Sequence, residues 1–84
     1  MENRGWFVYL LECADGTTYI GATRDVDRRV REHNDGVGAR YTRGRRPVRL
    51  LGSIQCGTQG DALRQERRLK TLGPQGRRQA FNVR

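Results

Sequence analysis

The chain has 84 residues, with 17 Lys or Arg against 9 Asp or Glu and a formal net charge of +8. That length holds one domain, residues 1–84, with no room for a separate specificity module, and a hydrophobic content of 35% is too high for a disordered tail. The run Trp6 to Leu11 falls far short of the roughly 20 apolar residues of a membrane helix, and it reaches Glu12 without a small-residue cleavage site, which argues against both a membrane anchor and a signal peptide.

Residues 6–13, Trp-Phe-Val-Tyr-Leu-Leu-Glu-Cys, are aromatic and aliphatic and predict a strand. Asp15-Gly16 supplies the chemistry of a tight hairpin turn, and residues 17–22 return as a second strand. Thr23 or Asp25 can cap a helix running to about Asn34, with Asp25 and Asp27 complementing the dipole of its first turn and Gly36 and Gly38 ending it. A Gly/Arg-rich loop follows over residues 36–46. Pro47 then opens a third strand from Val48 to Gln55, and Asp61 caps a second helix from Ala62 to Leu72, stopped by Gly73-Pro74. The tail, Gln75 to Arg84, adds a short helix or an edge segment. The order ββαβα predicts an α/β (α+β) fold: a small three-stranded, mostly antiparallel sheet flanked by helices.

Charge is the strongest compositional signal. All but one of the basic residues are arginine, Lys70 being the exception. A small basic domain binds polyanions, and the arginine fork matches phosphate. The loop from Arg40 to Arg49 carries five arginines with Tyr41 among them, which predicts phosphate contact by Arg40, Arg43, Arg45 and Arg46 and stacking of Tyr41 on a base or sugar. Arg24 and Arg28, at the start of the first helix, join this nucleic-acid-binding set. Two cysteines, Cys13 and Cys56, without a CxxC and with a single histidine, make a structural zinc site improbable and read as reduced thiols of a cytoplasmic protein.

Polar groups that fall on apolar faces single out further residues. At about 100° per residue, Arg29 and His33 lie within a quarter turn of Val26 on the buried stripe of the first helix. Ala62, Leu63, Leu69 and Leu72 mark the apolar face of the second helix, and Glu66 stands on that face while Arg64, Arg67, Arg68 and Lys70 project elsewhere. An inward carboxylate needs a partner. Either Glu66 pairs with Arg29 to join the helices, or it holds a metal ion at the mouth of a cleft. With Asp15-Gly16 at the turn, Tyr9 and Tyr19 share one face of the hairpin at diagonal distance.

Phe7-Val8-Tyr9 and Tyr19-Ile20-Gly21 together resemble the paired signature of the GIY-YIG nuclease superfamily. Ten residues separate the two tyrosines, Arg29 stands ten beyond Tyr19 at the motif arginine, His33 matches a His or Tyr position one turn later, and Glu66 matches the metal-binding glutamate. The first triplet departs from the pattern in reading Phe-Val-Tyr. The resemblance spans roughly residues 6–72 and is closest to the small stand-alone bacterial members, a group of predicted endonucleases; Gly38-Ala39-Arg40-Tyr41-Thr42-Arg43 resembles a segment typical of them. Asn82 is a candidate for the family's late asparagine.

The resemblance implies metal-assisted hydrolysis of a phosphodiester. Glu66 would hold one Mg²⁺ (or Mn²⁺), which suits a single carboxylate because it keeps much of its hydration shell. Arg29 would contact the scissile phosphate, Tyr9 or Tyr19 would orient or deprotonate the attacking water, and His33 would assist proton transfer or position that water. The expected partner is nucleic acid, DNA rather than RNA, with no membrane partner. Specificity would come from DNA structure or a protein partner, in a setting such as DNA repair or recombination. Oligomeric state is left open. Two competing readings are a non-catalytic nucleic-acid-binding module on the same fold and a ribosome- or RNA-associated basic protein.

Overall fold

The computed structural model describes residues 5–83. Within them the elements are β1 (Trp6–Glu12), β2 (Thr18–Thr23), α1 (Val26–Asn34), α2 (Arg40–Arg43), β3 (Arg49–Cys56), α3 (Gln59–Lys70) and α4 (Pro74–Ala80). The ββαβα order holds. A single helical turn, α2, stands inside the Gly/Arg loop, and the tail closes as α4. The sheet has the order β2-β1-β3 with both pairings antiparallel, so β1 is its central strand.

Local chemistry sets each boundary. The hairpin closes through Cys13 N–H donating to the Thr17 carbonyl at 2.8 Å and Gly16 N–H donating to the Cys13 carbonyl at 2.9 Å, a three-residue loop over Ala14-Asp15-Gly16. This fixes a register in which Leu11 faces Tyr19 and Tyr9 faces Gly21. Asp25 caps α1, its side chain accepting the Arg28 N–H at 3.1 Å. β3 begins at Arg49 rather than at Val48. The Asn34 side chain takes up both backbone groups of Val48, accepting its N–H at 2.7 Å and donating to its carbonyl at 3.0 Å. α3 starts a turn before the expected Asp61 cap. Thr58 is the cap and Asp61 is its reciprocal partner in a capping box, each satisfying the other's backbone N–H. Pro74 opens α4 from its first turn, where a missing N–H costs nothing.

Alternation along the strands splits the interior into two layers. Val8, Leu10 and Ile20 pack with Cys56, with Ala62 and Leu69 of α3, and with Phe81. On the opposite face Tyr9, Leu11, Cys13 and Val48 pack with Tyr19, Val26 and Val30. His33 and Thr42 are buried polar residues of the described chain. Leu63 does not join the core and is 46% exposed. The buried seam of α3 runs through Ala62, Glu66 and Leu69, and Leu63 lies a quarter turn off it. Both cysteines are buried free thiols. Among the described residues no helix is long and apolar enough to cross a membrane.

Candidate active site

Tyr9, on the central strand, is 1% exposed. Its ring lies across β2 above Gly21, where an added Cβ would stand 2.6 Å from Tyr9 Cζ and 3.1 Å from Tyr19 Cε2. Glycine is therefore the residue that fits opposite Tyr9, and this explains the close of the second triplet. The Tyr9 hydroxyl is 2.8 Å from Nε2 of His33. His33 is fully buried, and its Nδ1 lies 2.7 Å from Oγ1 of Thr42, which in turn donates to the Ala39 carbonyl at 3.0 Å. Gly38 admits this arrangement: a Cβ there would come within 2.8 Å of His33 Cγ. The segment from Gly38 to Thr42 thus folds over the imidazole of His33.

Tyr19 shares the face of Tyr9, with ring centroids 6.4 Å apart, and its ring centroid is 5.3 Å from that of His33. Tyr41 stacks on Tyr19 at 6.0 Å, and the Arg45 guanidinium covers the Tyr41 ring at 3.9 Å. Arg45 is itself held by Asp15 at 3.0 Å and by the Tyr41 carbonyl at 2.7 Å. Tyr41 is therefore engaged by both Tyr19 and Arg45 and is still 38% exposed.

Electrostatics tie Arg29 and Glu66 to the same phenol. Burial is the main cause that pushes the Tyr9 hydroxyl up to about 12, opposed by a hydrogen bond from Arg29 and reinforced by the charges of Tyr19 and Glu66. One hydroxyl thus feels side chains from β2, α1 and α3. His33 is shifted down, first by burial and then by the Arg29 charge, so it is neutral near pH 7. Arg29 is shifted up, chiefly by its hydrogen bond to Glu32.

The Glu66–Arg29 pair considered from the sequence does not form. Arg29 Nη1 bonds Glu32 at 2.8 Å on its own helix, and Glu66 Oε2 lies 2.8 Å from Lys70 Nζ one turn along α3. Lys70, expected to project elsewhere, instead turns to Glu66 and stands 5.8 Å from the Tyr19 ring centroid. The site is also not one hollow. Arg24, Arg28 and Arg29 line a groove of about 300 Å³ with Trp6 and Thr23, whereas Glu66 lines a separate one of about 260 Å³ with Arg67 and Lys70.

Among the described residues no group of three or more His, Cys, Asp or Glu side chains could hold a metal ion. Among the described residues Glu66 is the carboxylate whose charge acts on the Tyr9 phenol, and it offers one hard oxygen donor there. That donor set fits Mg²⁺ or Mn²⁺, whose remaining positions water and phosphate oxygens can fill, and it does not fit a site built wholly from protein ligands.

The arginines divide into two groups. Arg45 is committed as described, and Arg46 donates to the carbonyls of Arg43 and Asn34 at 2.8 and 3.3 Å. Arg28 pairs with Glu32 at 3.2 Å. Arg24, Arg40 and Arg43 are exposed and their side chains have no partner among the described residues. Asn82 adopts φ 59° at the end of α4 with its N–H on the Gln79 carbonyl at 3.1 Å, a left-handed backbone position that asparagine tolerates. Thr42, Lys70 and the close-approach role of Gly38 escaped the sequence reading. Thr42 sits in the one-turn helix α2, too short to show a periodicity, and lay within the Gly38–Arg43 segment that the resemblance singled out without a role; for Lys70 the signal was the spacing Glu66–Lys70 at i, i+4.

This small α+β domain sets two tyrosines and a histidine together on one face of its sheet, with an arginine of α1 and a glutamate of α3 acting electrostatically on the central phenol. Residues 5–79 match the family model of the GIY-YIG catalytic domain, and the chain belongs to the GIY-YIG family. It is 47% identical over 78 residues to UPF0213 protein DP2720 of Desulfotalea psychrophila, covering 92% of this chain and 71% of that one. It is 54% identical over 65 residues to UPF0213 protein VNG_2274C of Halobacterium salinarum, covering 77% and 84%. A UPF0213 protein of Nitratidesulfovibrio vulgaris is 55% identical over 65 residues, and the chain spans 59% of its length. The solution NMR structure of UPF0213 protein BH0048 from Bacillus halodurans is similar with a TM-score of 0.56 at 43% identity, covering 92% of this chain and 82% of that one.

Proposed function

We propose that this chain is a metal-dependent endonuclease that hydrolyses phosphodiester bonds in nucleic acid, DNA in preference to RNA. The observation that carries this reading is the setting of the Tyr9 hydroxyl, which is bonded to a buried neutral histidine and lies within the electrostatic reach of Arg29, Tyr19 and Glu66. A binding module gains nothing from a buried phenol–imidazole pair beside a carboxylate, whereas a hydrolase needs a proton path and a seat for a cation at one phosphate.

In this reading Arg29 binds the scissile phosphate and its contact strengthens as charge accumulates on the oxygens. Glu66 would hold Mg²⁺ or Mn²⁺, which when bound adds positive charge at the phosphate and the leaving 3′ oxygen. Tyr19, half-buried rather than sealed, presents its phenol to the attacking water. Tyr9, raised to about 12, is a neutral phenol at pH 7 and a weak base alone. Its use lies in passing a proton: it accepts one from the water as it gives its own to Nε2 of His33. In this reading His33 serves proton transfer through the Tyr9 hydroxyl, which lies 2.8 Å from its Nε2. Arg24, Arg40 and Arg43 take neighbouring phosphates. In this reading selectivity rests on nucleic-acid structure or on a protein partner.

The test is nicking of a supercoiled plasmid, and cleavage of duplex, flap, branched and single-stranded substrates, with and without Mg²⁺ or Mn²⁺. Wild type is expected to cut only with the ion, and Glu66→Ala to lose cleavage while still binding DNA. Equal cleavage by the two proteins would remove the metal role of Glu66. Binding without cleavage of any substrate would leave a nucleic-acid-binding module on this fold.

A further inference from the structure

The imidazole of His33 is buried and both its nitrogens are engaged, so the question is where its proton sits. Three groups bear on it. The Tyr9 hydroxyl is 2.8 Å from Nε2, Thr42 Oγ1 is 2.7 Å from Nδ1, and the Ala39 N–H points at Nδ1 from 3.4 Å. Thr42 has one hydroxyl proton and two claims on it. The Ala39 carbonyl, 3.0 Å from Oγ1, can only accept, so it satisfies its bond only if Thr42 donates to it. Oγ1 then turns a lone pair toward Nδ1, and Nδ1 must carry the ring proton. Nε2 is left bare and accepts from Tyr9. This order makes three short bonds run one way, from Tyr9 through His33 and Thr42 to a main-chain carbonyl. The opposite order takes the hydroxyl proton from the carbonyl and deprives the Tyr9 proton of its imidazole acceptor; its one gain is the long 3.4 Å bond from the Ala39 N–H to a bare Nδ1.

We propose that Thr42 is a positioning residue for the reaction: by donating to the Ala39 carbonyl and accepting from Nδ1–H, it fixes His33 in the tautomer whose Nε2 can receive the Tyr9 proton. Its catalytic consequence rests on the nuclease reading above, but the placement of the proton does not. Thr42 touches neither water nor substrate, being fully buried, and acts only through the ring. Without it the Ala39 N–H and the Tyr9 oxygen favour the other tautomer, in which Nε2 is a donor and cannot take the proton.

The chain has one histidine, so its imidazole ¹⁵N spectrum is unambiguous. The experiment records long-range ¹H–¹⁵N correlations on the full ¹⁵N-labelled chain near pH 8 for wild type, Thr42→Val and Thr42→Ser, alongside Mg²⁺-dependent plasmid nicking. Wild type is expected to show protonated Nδ1 and bare Nε2. Thr42→Val keeps the branched shape and removes the hydroxyl. It is expected to move the pattern toward protonated Nε2 and to lower kcat about 10- to 100-fold with KM within about twofold. Thr42→Ser is expected to restore both. Protonated Nε2 in wild type, or an unchanged pattern in Thr42→Val, would overturn the proposal. Should Thr42→Val not fold, the wild-type pattern and a wild-type kcat in Thr42→Ser carry the decision. The expected tautomers in a protein that cuts nothing would sink the nuclease reading and leave the assignment of the proton standing.

Discussion

On one face of the sheet Val8, Leu10 and Ile20 meet Ala62, Leu69 and Phe81, an interior of hydrocarbon. On the other, the same two strands turn Tyr9 and Tyr19 toward α1 and α2, and the residues sealed opposite them include His33 and Thr42. The first layer is held by burial, which is non-directional and tolerant of small shifts. The second is held by hydrogen bonds that must all be made at once, and among the described residues every buried side-chain nitrogen or oxygen has a partner. The second layer thus adds polar chemistry to the apolar contacts of Leu11, Val26, Val30 and Val48, whereas the first rests on apolar contact. α3 serves both: Ala62 and Leu69 anchor it in the hydrocarbon, while Glu66 acts electrostatically on Tyr9 from the opposite layer.

This division can be broken from either side. The largest effect on stability is expected from Leu10→Ala, which opens a cavity in the apolar layer and should cost about 2–5 kcal/mol by urea denaturation, with cleavage per folded molecule little changed. Gly21→Ala strikes the other layer by driving a methyl into the Tyr9 ring. It should cost about 1–3 kcal/mol by overpacking and reduce cleavage far more than its stability loss explains. If instead Leu10→Ala abolished cleavage in the folded protein while Gly21→Ala did not, the two layers would not be separate in function.

A smaller signature comes from pH. His33 is depressed below its ordinary 6.5, so its contribution to stability is fully present above 6.5 and is lost as pH falls through the depressed value. Tyr9 is raised from 10.0 to about 12, so its contribution is present below 10.0 and lost as pH rises toward 12. Urea midpoints of wild type and His33→Gln should therefore diverge in their acid limbs. Parallel acid limbs would show that the histidine does not sense burial. Smallest is the salt slope of DNA binding. Arg24→Ala, Arg40→Ala and Arg43→Ala should each flatten it by about one. Arg45→Ala should mainly lower stability, because that guanidinium braces Tyr41 and Asp15. An equal flattening by Arg45→Ala would return it to the phosphate contacts.

The strands and the long helices were legible because their signals are local: the alternation in residues 6–13, the Asp15-Gly16 turn, and the apolar period broken only by Glu66. The diagonal pairing of Tyr9 with Tyr19 followed from the turn alone. What could not be read were features that depend on a distant partner. Thr58 rather than Asp61 caps α3 because the two groups satisfy one another, and Val48 leaves the ladder because Asn34, far off in the chain, takes its backbone. The arginine loop looked uniform in sequence. Its folding back on the hairpin commits Arg45 to Asp15, and Arg46 turns to the carbonyls of Arg43 and Asn34, while Arg40 and Arg43 keep exposed side chains without a partner among the described residues. Glu66 stood out as an inward carboxylate, but of its two open partners the Arg29 pair gives way to Lys70, whose reach a helical projection alone did not give.

β1 is hydrogen-bonded along both of its sides. The residue it carries at its midpoint, Tyr9, therefore sits on the stretch of backbone that can shift only by unzipping two ladders together. Whatever adjustment a bent or branched strand demands must be made by the parts around it: the outer strand with Tyr19, the one-turn helix, and the end of α3. The molecule grips as a bench vice does, with one jaw bolted down and the travel confined to the other.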